Sequence, residues 1–353
     1  TAWLAGAVDR PLWIGLMALL CLAVAAGRVK LHPDTSRDFL LARDCVELNR
    51  CHDFGPPTSV RGLWQGTGWT ALLSICARMG MGPVSIQLLL LLGQAGSVAL
   101  LAMLVKRWIS RAAALPSAAS WMLILAVMGD ATVLWNPSPS ALPLVITAGS
   151  LLLLARTRRT SMALFAGVGV GILTSCHLAF AVLIPPAFAL CVLAGARPML
   201  ALTLAGTAVV GILFALSRSM VDMNLAQLGQ GAVLPVVGIC LLGSVGAAAA
   251  LRKRWRGAGP QTRNVVVGLV CLIPGVAAVA VFTLATGREP PARYWLPAAP
   301  FLCVFFGWAI ANVRRYARGF RHLAWLATAA MVIATLTMAG RNESWSYSDV
   351  REV

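Results

Sequence analysis

The chain has twelve acidic residues in 353 positions, and five of them fall in one stretch from His32 to Trp69. It reads HPDTSRDFLLARDCVELNRCHDFGPPTSVRGLWQGTGW and holds Asp34, Asp38, Asp44, Glu47 and Asp53. Carboxylates gathered in one polar segment act as proton acceptors or as ligands for cations. Almost everything after the stretch is apolar, so this is where the chain keeps its chemistry and the remainder is expected to serve as scaffold.

Composition defines that scaffold. Hydrophobic residues make up 59% of the chain and charged residues 12%, with a mean hydropathy of +0.80. Such values lie far outside soluble globular usage and indicate an all-α, polytopic membrane protein. A hydrocarbon core of about 30 Å calls for roughly 20 apolar residues per helix. About eleven spans meet that need: 11-27, 83-105, 112-128, 140-155, 161-177, 179-196, 199-216, 232-250, 264-285, 296-312 and 323-340. No cleavable leader is expected, because the first apolar run leads on into further spans.

Charge segregation supports the count. With a cytoplasmic N-terminus, Arg10 and alternate connections carry 17 of the 29 basic residues and a single acid, Asp9; the other eleven acids fall on the opposite side, together with the tail after Gly340. This is the positive-inside pattern, and it accounts for the net charge of +17 without nucleic acid, for which no motif is present. The expected setting is a bacterial inner membrane with a periplasmic C-terminus, and the expected domain plan is one transmembrane domain over 1-353. Its first external loop, 28-82, would carry the site, and no C-terminal soluble domain would follow.

Two interfacial helices are expected in that loop, joined by the Gly55-Pro56-Pro57 turn. Residues 63-80 are apolar enough to be mistaken for a span, yet counting them would move Lys106, Arg107 and Arg111 to the wrong side, so they are read as lying at the membrane surface. In the helix over about 36-50, Arg37, Arg43, Asp44, Glu47 and Arg50 share one arc, while Leu41, Ala42, Cys45, Val46 and Leu48 share the opposite one. Asp38 falls in the apolar arc, and Asp34 joins it if the helix starts early enough. A carboxylate aimed at a membrane-embedded body needs a partner or a task. The alternative for Asp38 is simple preference for the positive end of the helix dipole, close after Ser36.

An Asp shortly after the first span, an Ala-Arg pair on an interfacial helix, a Gly/Pro turn and a long run of spans resemble the GT-C membrane glycosyltransferases. The likeness is to the aminoarabinose transferase and protein O-mannosyltransferase branch. Asp34 precedes Ala42-Arg43 by the spacing of the family's catalytic carboxylate, and ARYWLPAAPFLCVFFGW, 292-308, is similar to the family's Arg-Tyr-Leu-x-Pro-x-x-Pro start of a late span. Three features depart from the pattern. Thr35 replaces the second acid of the family's pair, Asp38 stands where an aromatic residue is common, and Trp64-Gln65-Gly66-Thr67 lacks the phosphate-binding lysine.

The resemblance implies transfer of a sugar from a polyprenyl-phosphate carrier to a glycan, lipid or protein acceptor. Asp34 would be the base and Asp38 the second candidate. Arg293 would lead in binding the phosphate, followed by Arg61, with Tyr294 and Arg43 as further substrate contacts. Members differ in metal use, so the implied site is either metal-free or served by a divalent cation. His32 and His177 have no second ligand at a recognised spacing, and a satisfied interior histidine is the plainer reading. Cys45 and Cys51 share the external loop and are candidates for a disulfide at the end of the first interfacial helix. The departures also suit a non-catalytic GT-C subunit of a larger membrane assembly. A transporter fits less well, because almost no ionisable residue lies inside a span and no internal repeat is evident.

Overall fold

The computed structural model describes residues 11-26, 30-31, 33-48, 66-127, 134-215, 292-316, 323-337 and 345-346, with isolated positions 248, 257 and 259. Eleven α-helices run through them: α1 Pro11–Ala26, α2 Pro33–Glu47, α3 Gly68–Arg78, α4 Pro83–Trp108, α5 Arg111–Val127, α6 Ala141–Thr157, α7 Thr160–Cys176, α8 Ile184–Ala194, α9 Ala196–Ala215, α10 Ala299–Tyr316 and α11 Leu323–Thr337. Three short 3-10 turns, Ser138–Ser140, Leu178–Leu183 and Ala292–Ala298, precede α6, α8 and α10.

Nine of the expected spans coincide with helices; 264-285, and 232-250 apart from position 248, lie outside the described residues. The segments Pro83–Trp108, Ser138–Thr157 and Trp295–Asn312 are long and apolar enough by themselves to cross a membrane. The protein is a multi-pass helical membrane protein. Its two loop helices are too short to cross: α3, at 11 residues, extends about 16 Å against a core of about 30 Å.

Contacts divide the chain into two compact units, Thr1–Arg37 with Cys76–Val145 and Ala299–Val353, and Asp38–Ile75 with Ile146–Ala298. In the first unit α4 packs on α1 and α5, and α5 packs on α10 and α11. Lipid offers apolar helices no hydrophobic reason to associate, so close backbone approach and internal hydrogen bonds hold such a bundle. Gly307 of α10 lies against α5, where an added Cβ would come 2.6 Å from the Ala113 carbonyl oxygen. Trp121, fully buried on α5, donates its indole N–H to Ser97 Oγ of α4 at 2.8 Å, and Ser97 passes its own proton to the Gln94 carbonyl at 2.6 Å. The opposite face of α1, with Leu12, Met17, Leu20 and Val24, is exposed and apolar, as a lipid-facing surface must be.

A two-residue antiparallel pair joins β1, Lys30–Leu31, to β2, Trp345–Ser346. It brings the chain just after the first helix beside the chain after the last one.

In the second unit α7 and α9 pack along each other, and Gly167 permits it: a Cβ there would lie 2.6 Å from the Leu202 carbonyl oxygen. α7 ends at Cys176 because His177 adopts an extended conformation, φ −151 and ψ 121. The chain reverses through Leu178–Leu183 into α8, whose first turn holds Pro185 and Pro186, where a missing N–H leaves no helical bond unmade. Gly195, at φ +132, then makes the turn into α9.

Gly307→Ala should lower the stability of detergent-purified protein by about 1–3 kcal/mol through overpacking against the α5 backbone. Gly96→Ala, on α4 with open space around it, should be neutral or stabilising by about 0.5–1 kcal/mol. Thermal unfolding of the two variants side by side checks both.

Candidate functional site

Helix α2 starts at Pro33, three residues before the expected boundary, with proline in the first turn where its fixed φ suits a helix. Asp34 is therefore inside the helix, one turn ahead of Asp38 in the sequence. The buried stripe of α2 is Thr35, Asp38, Ala42 and Cys45, while Leu40, Arg43, Glu47 and Leu48 are exposed. Asp38 is thus turned inward, as its place in the apolar arc suggests, and Leu48 is turned out. The stripe drifts around the helix, and Leu48 stands just past its last turn.

Asp38 is 1% exposed and its Oδ2 accepts a hydrogen bond from Trp69 Nε1 at 3.0 Å. Trp69, itself fully buried, opens α3. Nothing in the local pattern of α2 identifies this partner, although a tryptophan heading an interfacial helix needs an acceptor for its N–H. Three residues earlier, Thr35 Oγ1 donates to the Leu134 carbonyl oxygen. Leu134, Ser138 and Ser140 are buried too.

The segment before α3 is fitted to the end of α7. A Cβ on Gly66 would lie 2.3 Å from the Ser175 carbonyl oxygen, and one on Gly68 would lie 2.4 Å from Ser175 Oγ. These glycines let backbone meet backbone. Two residues beyond Ser175, buried His177 accepts the Ala179 N–H at Nδ1, 3.2 Å away, and meets Phe180 edge to face. It caps the 3-10 turn, which agrees with the interior-histidine reading. That turn packs against the turn Ala292–Ala298, whose backbone carries Arg293 and Tyr294 immediately ahead of α10.

Other expected residues are placed differently. Arg43 is exposed, with Nε 3.6 Å from Glu47 Oε2, a solvent-screened pair worth little to stability. Arg61, His32 and Cys51 lie outside the described residues. Cys45 is disulfide-bonded. Cys76, on the buried face of α3, remains a free thiol whose pKa is pushed up by burial, which disfavours the thiolate a nucleophile requires. Among the described residues no three His, Cys, Asp or Glu side chains are grouped to hold a metal.

The described helices, with two short ones after the first span and buried Asp38 and exposed Glu47 on the first of them, make up a GT-C-like fold. No family model matches the chain, and no curated protein does. Among solved structures it is similar to the oligosaccharyltransferase AglB of Archaeoglobus fulgidus, determined in complex with an inhibitory peptide and a dolichol-phosphate. The TM-score is 0.51 and the identity 14%, over 95% of this chain and 56% of AglB. At that identity the likeness is one of fold.

Gly66→Ala should loosen the seat of α3 on Ser175 and lower thermal stability by about 1–3 kcal/mol, since backbone must move. In a second test, digestion of unreduced protein should yield Cys45 in a cross-linked peptide, with Cys51 as its expected partner. Recovery of Cys45 as an alkylated free thiol would contradict the bond.

Proposed function

We propose that the protein is a membrane glycosyltransferase that moves a sugar from a polyprenyl-phosphate-linked donor to an acceptor on the periplasmic face of a bacterial inner membrane. The observation that carries this reading is the GT-C-like fold with an acid-bearing helix pair directly after its first span. AglB, of like fold, was determined with a dolichol-phosphate, the same chemical kind of carrier.

In the reaction the bond from the sugar's anomeric carbon to the carrier phosphate breaks and a bond to the acceptor nucleophile forms. Asp34 takes the acceptor's proton, with Asp38 as the second candidate, and the carrier leaves as its phosphate. Arg293 is assigned to hold that phosphate, a task suited to a planar guanidinium fork, with Arg61, Tyr294 and Arg43 as further substrate contacts. Charge stabilisation of a leaving phosphate and proton removal from the acceptor are the two demands the chemistry makes.

A second reading, a non-catalytic subunit of a larger membrane complex, draws on Thr35. The residue at the position of the family's second acid is fully buried and gives its proton to a backbone carbonyl.

Membranes carrying wild type, Asp34→Asn or Arg293→Ala at matched expression should be assayed for transfer from a panel of radiolabelled polyprenyl-phosphate sugars. Wild type should transfer, and Asp34→Asn should be slower by about 10²–10⁴-fold, the usual worth of a general base. No transfer from any donor by wild type, with a growth defect on deletion but not with Asp34→Asn, would instead establish the structural subunit.

A further inference from the structure

We propose that Trp69 and Asp38 form a positioning pair: the indole N–H grips the inward carboxylate and sets the roll of α2, the helix whose backbone carries Asp34. The inference rests on the transferase reading above for what Asp34 does, but the pair itself is a property of the structure. A general base must come within about 2.6–3.2 Å of the proton it removes. Asp38 is 1% exposed with Oδ2 against an indole, so it lies beneath the protein surface rather than at it.

The magnitude favours a positioning role over simple packing. The tip of a helical side chain lies about 5–6 Å from the axis, so a roll of roughly 20° carries a carboxylate about 2 Å sideways. A misplacement of about 1 Å is enough to cost on the order of 10²-fold in rate. For stability alone a buried carboxylate is a poor choice, because an apolar pair of similar volume is often as good or better. What the pair supplies is direction: one donor and one acceptor meet at a single rotational setting of the helix.

Three variants test this: Trp69→Phe, which keeps a ring and removes the N–H; Asp38→Asn, which keeps an acceptor for the indole; and Asp38→Leu combined with Trp69→Phe, which removes both polar partners together. Transfer kinetics from the radiolabelled donor are measured beside thermal unfolding and hydrogen exchange of peptides covering 33-47. Asp38→Asn, which keeps the acceptor for the indole, should leave exchange in 33-47 close to wild type. Trp69→Phe should lose about tenfold or more in kcat with little change in donor KM or unfolding temperature, while exchange in 33-47 accelerates. The double variant should fold and be no slower than Trp69→Phe, because both remove one interaction.

Asp38→Asn as inactive as Asp34→Asn, with exchange in 33-47 unaltered, would make Asp38 the reacting group and overturn the proposal. So would Trp69→Phe with wild-type kcat and wild-type exchange. If the wild type transfers no sugar, the exchange experiment decides alone. Unchanged protection of 33-47 in Trp69→Phe and in the double variant rejects the pair. Lost protection there upholds the pair, and only the transferase reading falls.

Discussion

Inside a bilayer no water is at hand to satisfy a polar group, and most of this structure follows from that constraint. Helices satisfy the backbone internally, and hydroxyls along them turn back to their own chain. Thr157, Thr174, Thr203 and Thr335 each donate to a carbonyl four residues earlier. Pro116 sits inside α5, and its own carbonyl takes a proton from Ser120 Oγ at 2.7 Å. Trp121 and Ser97 make such a bond between helices. At Gly167 and Gly307 the absence of a side chain lets neighbouring helices approach closely.

The loop helices obey the same rule. α2 carries its charged residues outward and a narrow stripe inward, and the two polar members of that stripe are both bonded: Thr35 to a carbonyl oxygen and Asp38 to an indole. The start of α3 lies close against Ser175 at Gly66 and Gly68, with Trp69 at the head of the helix. Both polar side chains of the α2 stripe are thus satisfied within the protein.

Much of this was legible in the chain itself. Hydropathy located nine of the observed helices to within a few residues, because an apolar run long enough for a bilayer has few other stable forms. The inward face of α2 could be read from 100° periodicity, and Asp38 stood out as the acid on that face. The start at Pro33 was misjudged by three residues, since helix propensity says little about a Pro-Asp-Thr-Ser run until a tertiary contact such as that of Thr35 holds it. The purpose of Gly66 and Gly68 was not legible at all. As text they suggest a phosphate loop that has lost its lysine, and only the carbonyl of Ser175, far along the chain, explains them.

Sequence alone determined the class of the protein, its helices, and the concentration of carboxylates after the first span, because these depend on local composition and period. Tertiary structure decided which acid is buried and by what, which turn caps which helix, and how closely the helices meet. Those outcomes rest on contacts between residues distant in sequence, where a single N–H such as that of Trp69 can select one orientation from several that periodicity allows.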